Sequence, residues 1–267
     1  MLQNLKTNRI LWILAALFSL IASLTGVFKQ EIYRKAVSAE WLPGTISQDL
    51  ITVFVSVVLL YLAAQTKEEN VKKQIFAISF LAYLFYAYGI FVIERFYNPL
   101  YLIYIAIFTI SFWSLIYGLK SIRASILEKS RISKLVRFIS IGFLIFIPLL
   151  FYFLWTMQLL PLMQTGKKPE FAYSIYILDM AFVLPALIIT AFLMIKKQGL
   201  GLVLAPILFF KAFTLLFSVG LGGVLKPYYN QSANLGEVGF YFGLAALFLI
   251  LSIINFVSLK IDKQGRQ

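Results

Sequence analysis

The chain has 267 residues, of which 61% are hydrophobic and 13% are charged. Ordinary globular domains are about half apolar and about one quarter charged, so this composition excludes a water-soluble globular protein. The sequence has no Cys and no His, which excludes disulfides, thiol catalysis and imidazole chemistry, together with most zinc, haem and copper sites. We therefore predict no metal site, no cofactor and no catalytic residues.

The apolar residues fall into eight blocks that approach the length needed to cross the membrane as an α-helix, about 20 residues. We predict an all-α, polytopic transmembrane helix bundle that forms a single domain over residues 1–267. The predicted spans are 10–28, 50–64, 75–93, 100–119, 138–157, 172–195, 201–224 and 238–259. The second is the shortest of them.

The net charge of +13 is spread through short loops between the apolar blocks, a pattern that favours membrane orientation over nucleic-acid binding. Alternate loops and the two termini hold 16 basic residues, whereas the loops on the other side hold 7. Because basic loops stay cytoplasmic, we predict a multipass cell-membrane protein with both termini in the cytoplasm. The loops 29–49 and 225–237 would then face outward.

The longest cytoplasmic connection is the basic segment 120–137, KSIRASILEKSRISKLVR. One interpretation is an amphipathic helix on anionic headgroups, with Ile122, Ile126 and Leu127 facing lipid. The alternative is a solvated linker whose charges only enforce topology. On the opposite side, Pro43 and Gly44 in the segment AEWLPGTISQD predict a turn before the second span.

Ionisable residues inside membrane spans are costly, and they usually face a protein interior or a wet cavity. Two of them lie well within predicted spans, namely Asp179 and Lys211. Four more lie near the outer ends of spans: Asp49, Glu94, Arg95 and Glu237. We predict that Asp179 and Lys211 form an ion pair, directly or through water. The alternative is that each is satisfied separately, by tyrosine hydroxyls or by carbonyl groups that prolines set free.

Tyrosines extend this polar set at two places. Tyr97, Tyr101 and Tyr104 are spaced by four and three residues, so they share one helical face. Tyr173, Tyr176 and Asp179 fall within about 120° of arc on the sixth span. Together they could line an outward-opening pocket, whereas the alternative is an interfacial belt of aromatic side chains.

Prolines at positions 148, 185 and 206 lie inside three of the predicted spans. Each leaves an upstream carbonyl without its helical partner. Kinks near Asp179 and Lys211 could shape a binding site, although packing alone also accounts for such kinks in membrane helices.

Three segments, WLPGTISQDL, YAYGIFVIERFYNPLYLIYIAIF and YILDMAFVLPALIITAFLMIKKQGLGLVLAPILFFK, resemble a family of uncharacterised prokaryotic multipass membrane proteins. The resemblance implies a membrane bundle. It implies no activity and no functional residues.

Three classes of function fit these observations. A small-solute transporter or receptor would use an outward-facing polar cavity, and a structural or assembly partner in a membrane complex would use the same charges to hold helices together. An intramembrane enzyme or a retinal-binding protein ranks third, because the only side chains available for catalysis would be Asp, Glu, Lys, Tyr and Ser. The expected partners are the lipid bilayer and either a small solute or another membrane protein.

Overall fold

The computed structural model of the chain describes residues 2–168 and 172–261. Ten α-helices occur within these ranges: α1 Leu5–Phe28, α2 Leu42–Gln65, α3 Val71–Ile93, α4 Tyr101–Lys120, α5 Ala124–Lys129, α6 Lys134–Thr165, α7 Tyr173–Leu178, α8 Leu184–Ile195, α9 Gly199–Leu225 and α10 Leu235–Ser258. Two short strands, β1 Ser130–Arg131 and β2 Lys260–Ile261, pair antiparallel. The fold is therefore almost entirely helical.

Eight helical segments are long and apolar enough to cross a membrane. Seven of them are built on the single helices α1, α2, α3, α4, α6, α9 and α10. The sixth span is composite, because α7 continues through a π-helical turn at Asp179–Val183 into α8. This confirms the prediction of an all-α protein with eight candidate membrane spans.

The second span begins earlier than the sequence predicts, at Leu42 rather than near residue 50. The predicted turn at Pro43 and Gly44 is wrong, because Pro43 lies in the first turn of α2, where its missing N–H is not needed. Polar side chains that follow it have partners in the same segment and in α9. Thr45 Oγ1 donates to the Trp41 carbonyl at 3.1 Å, and Ser47 Oγ donates to the Ser218 carbonyl at 2.7 Å.

The third span, α3, is the most buried of the eight candidate spans. It packs against α1, α2, α4, α7 and α9, so it stands at the centre of the bundle. The fifth span, α6, is the least buried and packs mainly against α8, with a smaller contact to α10. Its exposed apolar side chains fit contact with lipid hydrocarbon.

Both described ends of the chain meet the 120–137 connection on one face of the bundle. Leu2 pairs with Ile122 in an isolated β-bridge, and its N–H donates to Gln74 Oε1 at 2.8 Å. Strand β2, which follows the last span, pairs with β1 in the connection. The predicted basic loops therefore lie together in space.

The connection packs against protein rather than lying on lipid with its apolar side chains outward. Ile122 is buried, and Ile126 and Leu127 pack against the hydrophobic core. A side chain at Gly199 would overlap the Leu127 carbonyl, so this glycine allows the connection to approach the start of α9. The expectation that Ile122 faces lipid is therefore wrong, whereas Ile126 and Leu127 are only half-buried.

Candidate functional site

The site around Asp179 begins with an irregular turn in the sixth span. In the π-helical turn, the Leu184 N–H donates to the Asp179 carbonyl, one residue beyond the α-helical partner. Pro185 has no N–H, so it cannot continue this pattern to the Met180 carbonyl. That carbonyl instead accepts a hydrogen bond from the Tyr152 hydroxyl at 2.9 Å. Turns of this kind occur often at functional sites.

Both oxygens of the buried Asp179 carboxylate accept hydrogen bonds from other spans. The Tyr86 hydroxyl of α3 donates to Oδ1 at 2.9 Å, and Trp155 Nε1 of α6 donates to Oδ2 at 3.0 Å. Satisfied lone pairs lower the cost of burying this group. Asp179 thereby joins the third, fifth and sixth spans.

Lys211 of α9 completes this group, which we call the Lys211 centre: Lys211, Tyr86, Asp179 and Trp155. Its side chain is only 4% exposed, and Nζ lies 3.4 Å from the centroid of the Tyr86 ring. This distance is typical of a strong cation–π contact. Within residues 2–168 and 172–261 the ammonium forms no ion pair with Asp179. Tyr86 contacts both groups, through its hydroxyl and through its ring face. A direct ion pair is therefore not formed, and a pair bridged by water stays a prediction.

A glycine lets the third and sixth spans approach at this centre. A Cβ atom on Gly89 would lie 3.0 Å from Leu178 Cδ2, which is closer than almost any real contact. Leu178 precedes Asp179, and Gly89 lies three residues after Tyr86 on α3. The absence of a side chain at position 89 therefore brings the Tyr86 hydroxyl within reach of Asp179.

An open cleft of about 460 Å³ lies beside the Lys211 centre. Tyr173, Tyr176 and Met180 line it on the side of the sixth span. The Tyr176 ring meets the Trp155 ring edge to face, with centroids 5.3 Å apart, and its hydroxyl donates to Gln158 Oε1 at 2.9 Å. Trp155 thus contacts both a wall of the cleft and the Asp179 carboxylate.

A second buried carboxylate, Asp49 of α2, lies among the first four spans. It is 1% exposed, and the Tyr33 hydroxyl donates to its Oδ2 at 2.6 Å. Burial raises the pKa of the Tyr33 hydroxyl well above its ordinary value, so this donor stays neutral. A side chain at Gly26 would overlap both the carboxylate and this hydroxyl. We call Asp49, Tyr33 and Gly26 the Asp49 centre.

Tyr104 belongs to the surroundings of the Asp49 centre rather than to a pocket with Tyr97 and Tyr101. Its ring is fully buried and lies 5.1 Å from the Phe91 ring, and its hydroxyl accepts a hydrogen bond from Asn98 Nδ2 at 3.1 Å. Tyr97 is exposed. It lies before the start of α4, with its ring 4.8 Å from that of Tyr101. The prediction that these three tyrosines share one helical face is therefore wrong.

Four of the predicted site residues instead lie where the end of the third span meets the fourth and sixth spans. Glu94 Oε1 accepts the Ser174 N–H at 2.8 Å at the start of α7, where a carboxylate also suits the helix dipole. The hydroxyl of Tyr101 donates to the Val92 carbonyl at 3.0 Å, and that of Tyr173 donates to the Ile93 carbonyl. Arg95 is exposed, with its guanidinium 5.9 Å from the centre of the Tyr173 ring.

Glu237 belongs to neither centre. It is exposed in the first turn of α10, where its N–H donates to Asn234 Oδ1 at 3.2 Å. An acidic residue at this position stabilises the start of a helix, so its role in the structure is local.

Sequence reasoning missed Tyr86, Trp155 and Tyr33, each of which donates to a buried carboxylate. An aromatic residue within an apolar span is typical of packing and gives no local sign of a distant partner. The chain matches no known protein family, no curated protein and no solved structure.

Proposed function

We propose that this protein binds a small anionic solute inside the membrane bundle, as a transporter or a membrane receptor does, and that Lys211 recognises it. The observation that carries the proposal is the buried ammonium, which lies over the Tyr86 ring and makes no ion pair among the described residues. An ammonium group has three donors, and buried polar groups generally have partners. A carboxylate or phosphate on a solute would supply acceptors.

The neighbouring cleft supports a route to this ammonium. Its wall residue Tyr176 packs against Trp155, and Trp155 in turn contacts Asp179. A change in the Trp155 rotamer would break one hydrogen bond and would open the cleft toward the Lys211 centre. A mostly apolar cleft with a few polar groups is also typical of small-molecule sites.

The proposal is tested by the melting temperature of the detergent-solubilised protein with acetate, succinate, benzoate or inorganic phosphate. A ligand that binds only the folded protein adds about 2.7 kcal/mol of stability at 100 times its dissociation constant. We expect at least one of these anions to raise the melting temperature in a saturable way, and to change the emission of Trp155 in a variant that lacks the other three tryptophans.

The control variants separate Lys211 from general anion effects. Lys211→Met should abolish the saturable rise, whereas Lys196→Met should keep it, because Lys196 is exposed in the turn before α9. An equal rise in wild type and Lys211→Met would contradict the proposal. If the rise depends on Lys211, uptake of the same anion into sealed proteoliposomes distinguishes a transporter from a receptor.

A structural or assembly role is the second candidate, and one observation favours it. Both Asp179 oxygens already have donors, so the Lys211 centre could serve only to hold four spans together. In that case Lys211→Met would lower the stability, and no anion would change the stability of either protein.

We infer that both termini and the 120–137 connection face the cytoplasm. The inference is supported by the excess of basic residues in these segments, 16 against 7 on the other side, and by their contacts with one another. Single cysteines in this cysteine-free chain report it. Lys129→Cys should resist an impermeant thiol reagent in intact cells, whereas a cysteine at Lys35 should react. Labelling of position 129 from outside would overturn the orientation.

A further inference from the structure

We propose that Asp49 is a proton-binding site of the bundle, and that its carboxyl group carries the proton in this conformation. The proposal does not rest on the binding of a solute at Lys211. Asp49 lies among the first four spans, apart from Asp179 of the Lys211 centre.

Asp49 has no ion-pair partner among residues 2–168 and 172–261. Two ion pairs occur among the described residues, Arg34 with Glu31 and Arg123 with Glu68, and all four side chains are exposed. Asp49 takes part in neither, although it is 1% exposed. A carboxylate buried without a cation is strongly disfavoured, and it becomes neutral by taking up a proton.

The groups that face Asp49 do not change this balance. The titratable side chains around it are Tyr33 from the turn after α1, Tyr83 and Tyr88 from α3, and Tyr104 from α4. All four are phenols, which are neutral when buried. They offer hydrogen bonds but no positive charge.

Two basic residues of the neighbouring helices have partners elsewhere. Lys211 of α9 lies over Tyr86. Arg9 of α1 donates to the carbonyls of Ala63 and Ala64, at the far end of α2. Neither cation neutralises Asp49.

The close packing of this centre favours a proton over a metal cation. A methyl group at Gly26 would already overlap the Asp49 carboxylate and the Tyr33 hydroxyl. A hard cation needs several oxygen ligands around it, whereas a proton needs one oxygen and no additional space. The lack of space therefore favours binding of a proton over binding of a metal cation.

The chemistry is a simple proton exchange with water. The carboxylate accepts the Tyr33 hydrogen at 2.6 Å. When a proton joins that carboxylate oxygen, the new O–H donates to the Tyr33 oxygen across the same contact, and the Tyr33 hydrogen turns to the neighbouring Tyr104 hydroxyl. Release of that proton to water restores the carboxylate, and no electrons are transferred.

Infrared spectroscopy of the full chain in phosphatidylcholine vesicles tests the proposal at neutral pH. A protonated carboxyl has a C=O band that is distinct from those of a carboxylate. We expect wild type to show this band, Asp49→Asn to lose it, and Asp179→Asn to keep it as the matched control. Tyr33→Phe should shift the band, because it removes the hydrogen-bond partner while leaving the carboxyl in place.

Three results would overturn the proposal. The first is a wild-type spectrum without the acid band. The second is a band that Asp49→Asn retains, and the third is a band that disappears when sodium replaces a bulky organic cation, which would indicate a metal-ion site. If Asp49→Asn does not fold, Tyr33→Phe alone decides, since an unshifted band would place the proton elsewhere.

Discussion

Two buried carboxylates of the bundle, Asp179 and Asp49, are stabilised in different ways by their surroundings. Asp179 has two hydrogen-bond donors, lies near a cation, and adjoins an open cleft. Asp49 has a phenol donor, no ion-pair partner among residues 2–168 and 172–261, and Gly26 packed closely against it. A charged carboxylate is tolerable in the first environment, whereas a neutral acid suits the second.

The third span explains why the two surroundings are distinct. Tyr86 and Tyr88 lie two residues apart on α3, which places them about 200° apart around the helix axis. Tyr86 bonds Asp179, whereas Tyr88 donates to the Ser19 carbonyl at 3.2 Å and packs near Tyr104. The helix therefore supplies one tyrosine to each side of the bundle.

The largest expected effect comes from filling the Asp49 centre. Gly26→Ala should destabilise the protein by about 3 kcal/mol, at the upper end of the usual cost of overpacking, because its methyl overlaps the carboxylate. Gly142→Ala is the matched control, since nothing lies within 4 Å of a Cβ there. Thermal unfolding in detergent measures both. Equal stability of the two variants would show that the Asp49 centre can accommodate a methyl group.

A double-mutant cycle tests how the Lys211 centre holds its two charges. Asp179→Asn and Lys211→Met should each cost about 1–2 kcal/mol, the range of a charged hydrogen bond or a buried cation–π contact. Because Tyr86 contacts both groups, we expect a coupling of about 0.5–1 kcal/mol. Strict additivity would mean that the two residues are satisfied independently. Repeating the cycle in Tyr86→Phe measures how much of the coupling the hydroxyl carries.

The smallest expected effect concerns the irregular turn beside Asp179. Tyr152→Phe removes the hydroxyl that donates to the Met180 carbonyl, and it should cost about 1 kcal/mol. Tyr61→Phe provides the comparison, because Tyr61 is exposed on α2. Urea or thermal unfolding of both variants in one detergent gives the difference. No difference between them would mean that another group satisfies the carbonyl.

The number and type of the helices could be predicted from the sequence, because membrane spans need continuous apolar residues. The start of α2 could not. Its first residues include Thr45, Ser47, Gln48 and Asp49, which read as a loop when each is considered alone. They are helical because distant groups satisfy them, such as the Ala87 carbonyl that accepts from Gln48 Nε2 at 2.9 Å.

The candidate site shows the same division. Asp179 and Lys211 could be singled out because charges inside a span are costly. Their common partner could not, since Tyr86 lies about a hundred residues away from both and resembles an ordinary packing residue. The sequence predicts that Tyr101 and Tyr173 line a pocket, yet both hydroxyls donate to backbone carbonyls at span ends, and of the two only Tyr173 lines the cleft. Contacts between residues far apart in sequence cannot be predicted from helical periodicity.

The position of α3 constrains how the bundle can move. One rigid rod carries the hydroxyls of both Tyr86 and Tyr88. A rotation of this rod about its axis would withdraw Tyr86 from Asp179 and Tyr88 from Ser19 in the same motion. Rotation of α3 would therefore couple the hydrogen bond at Asp179 to the hydrogen bond at Ser19. Neither side of the bundle can repack around this helix without a change on the other side.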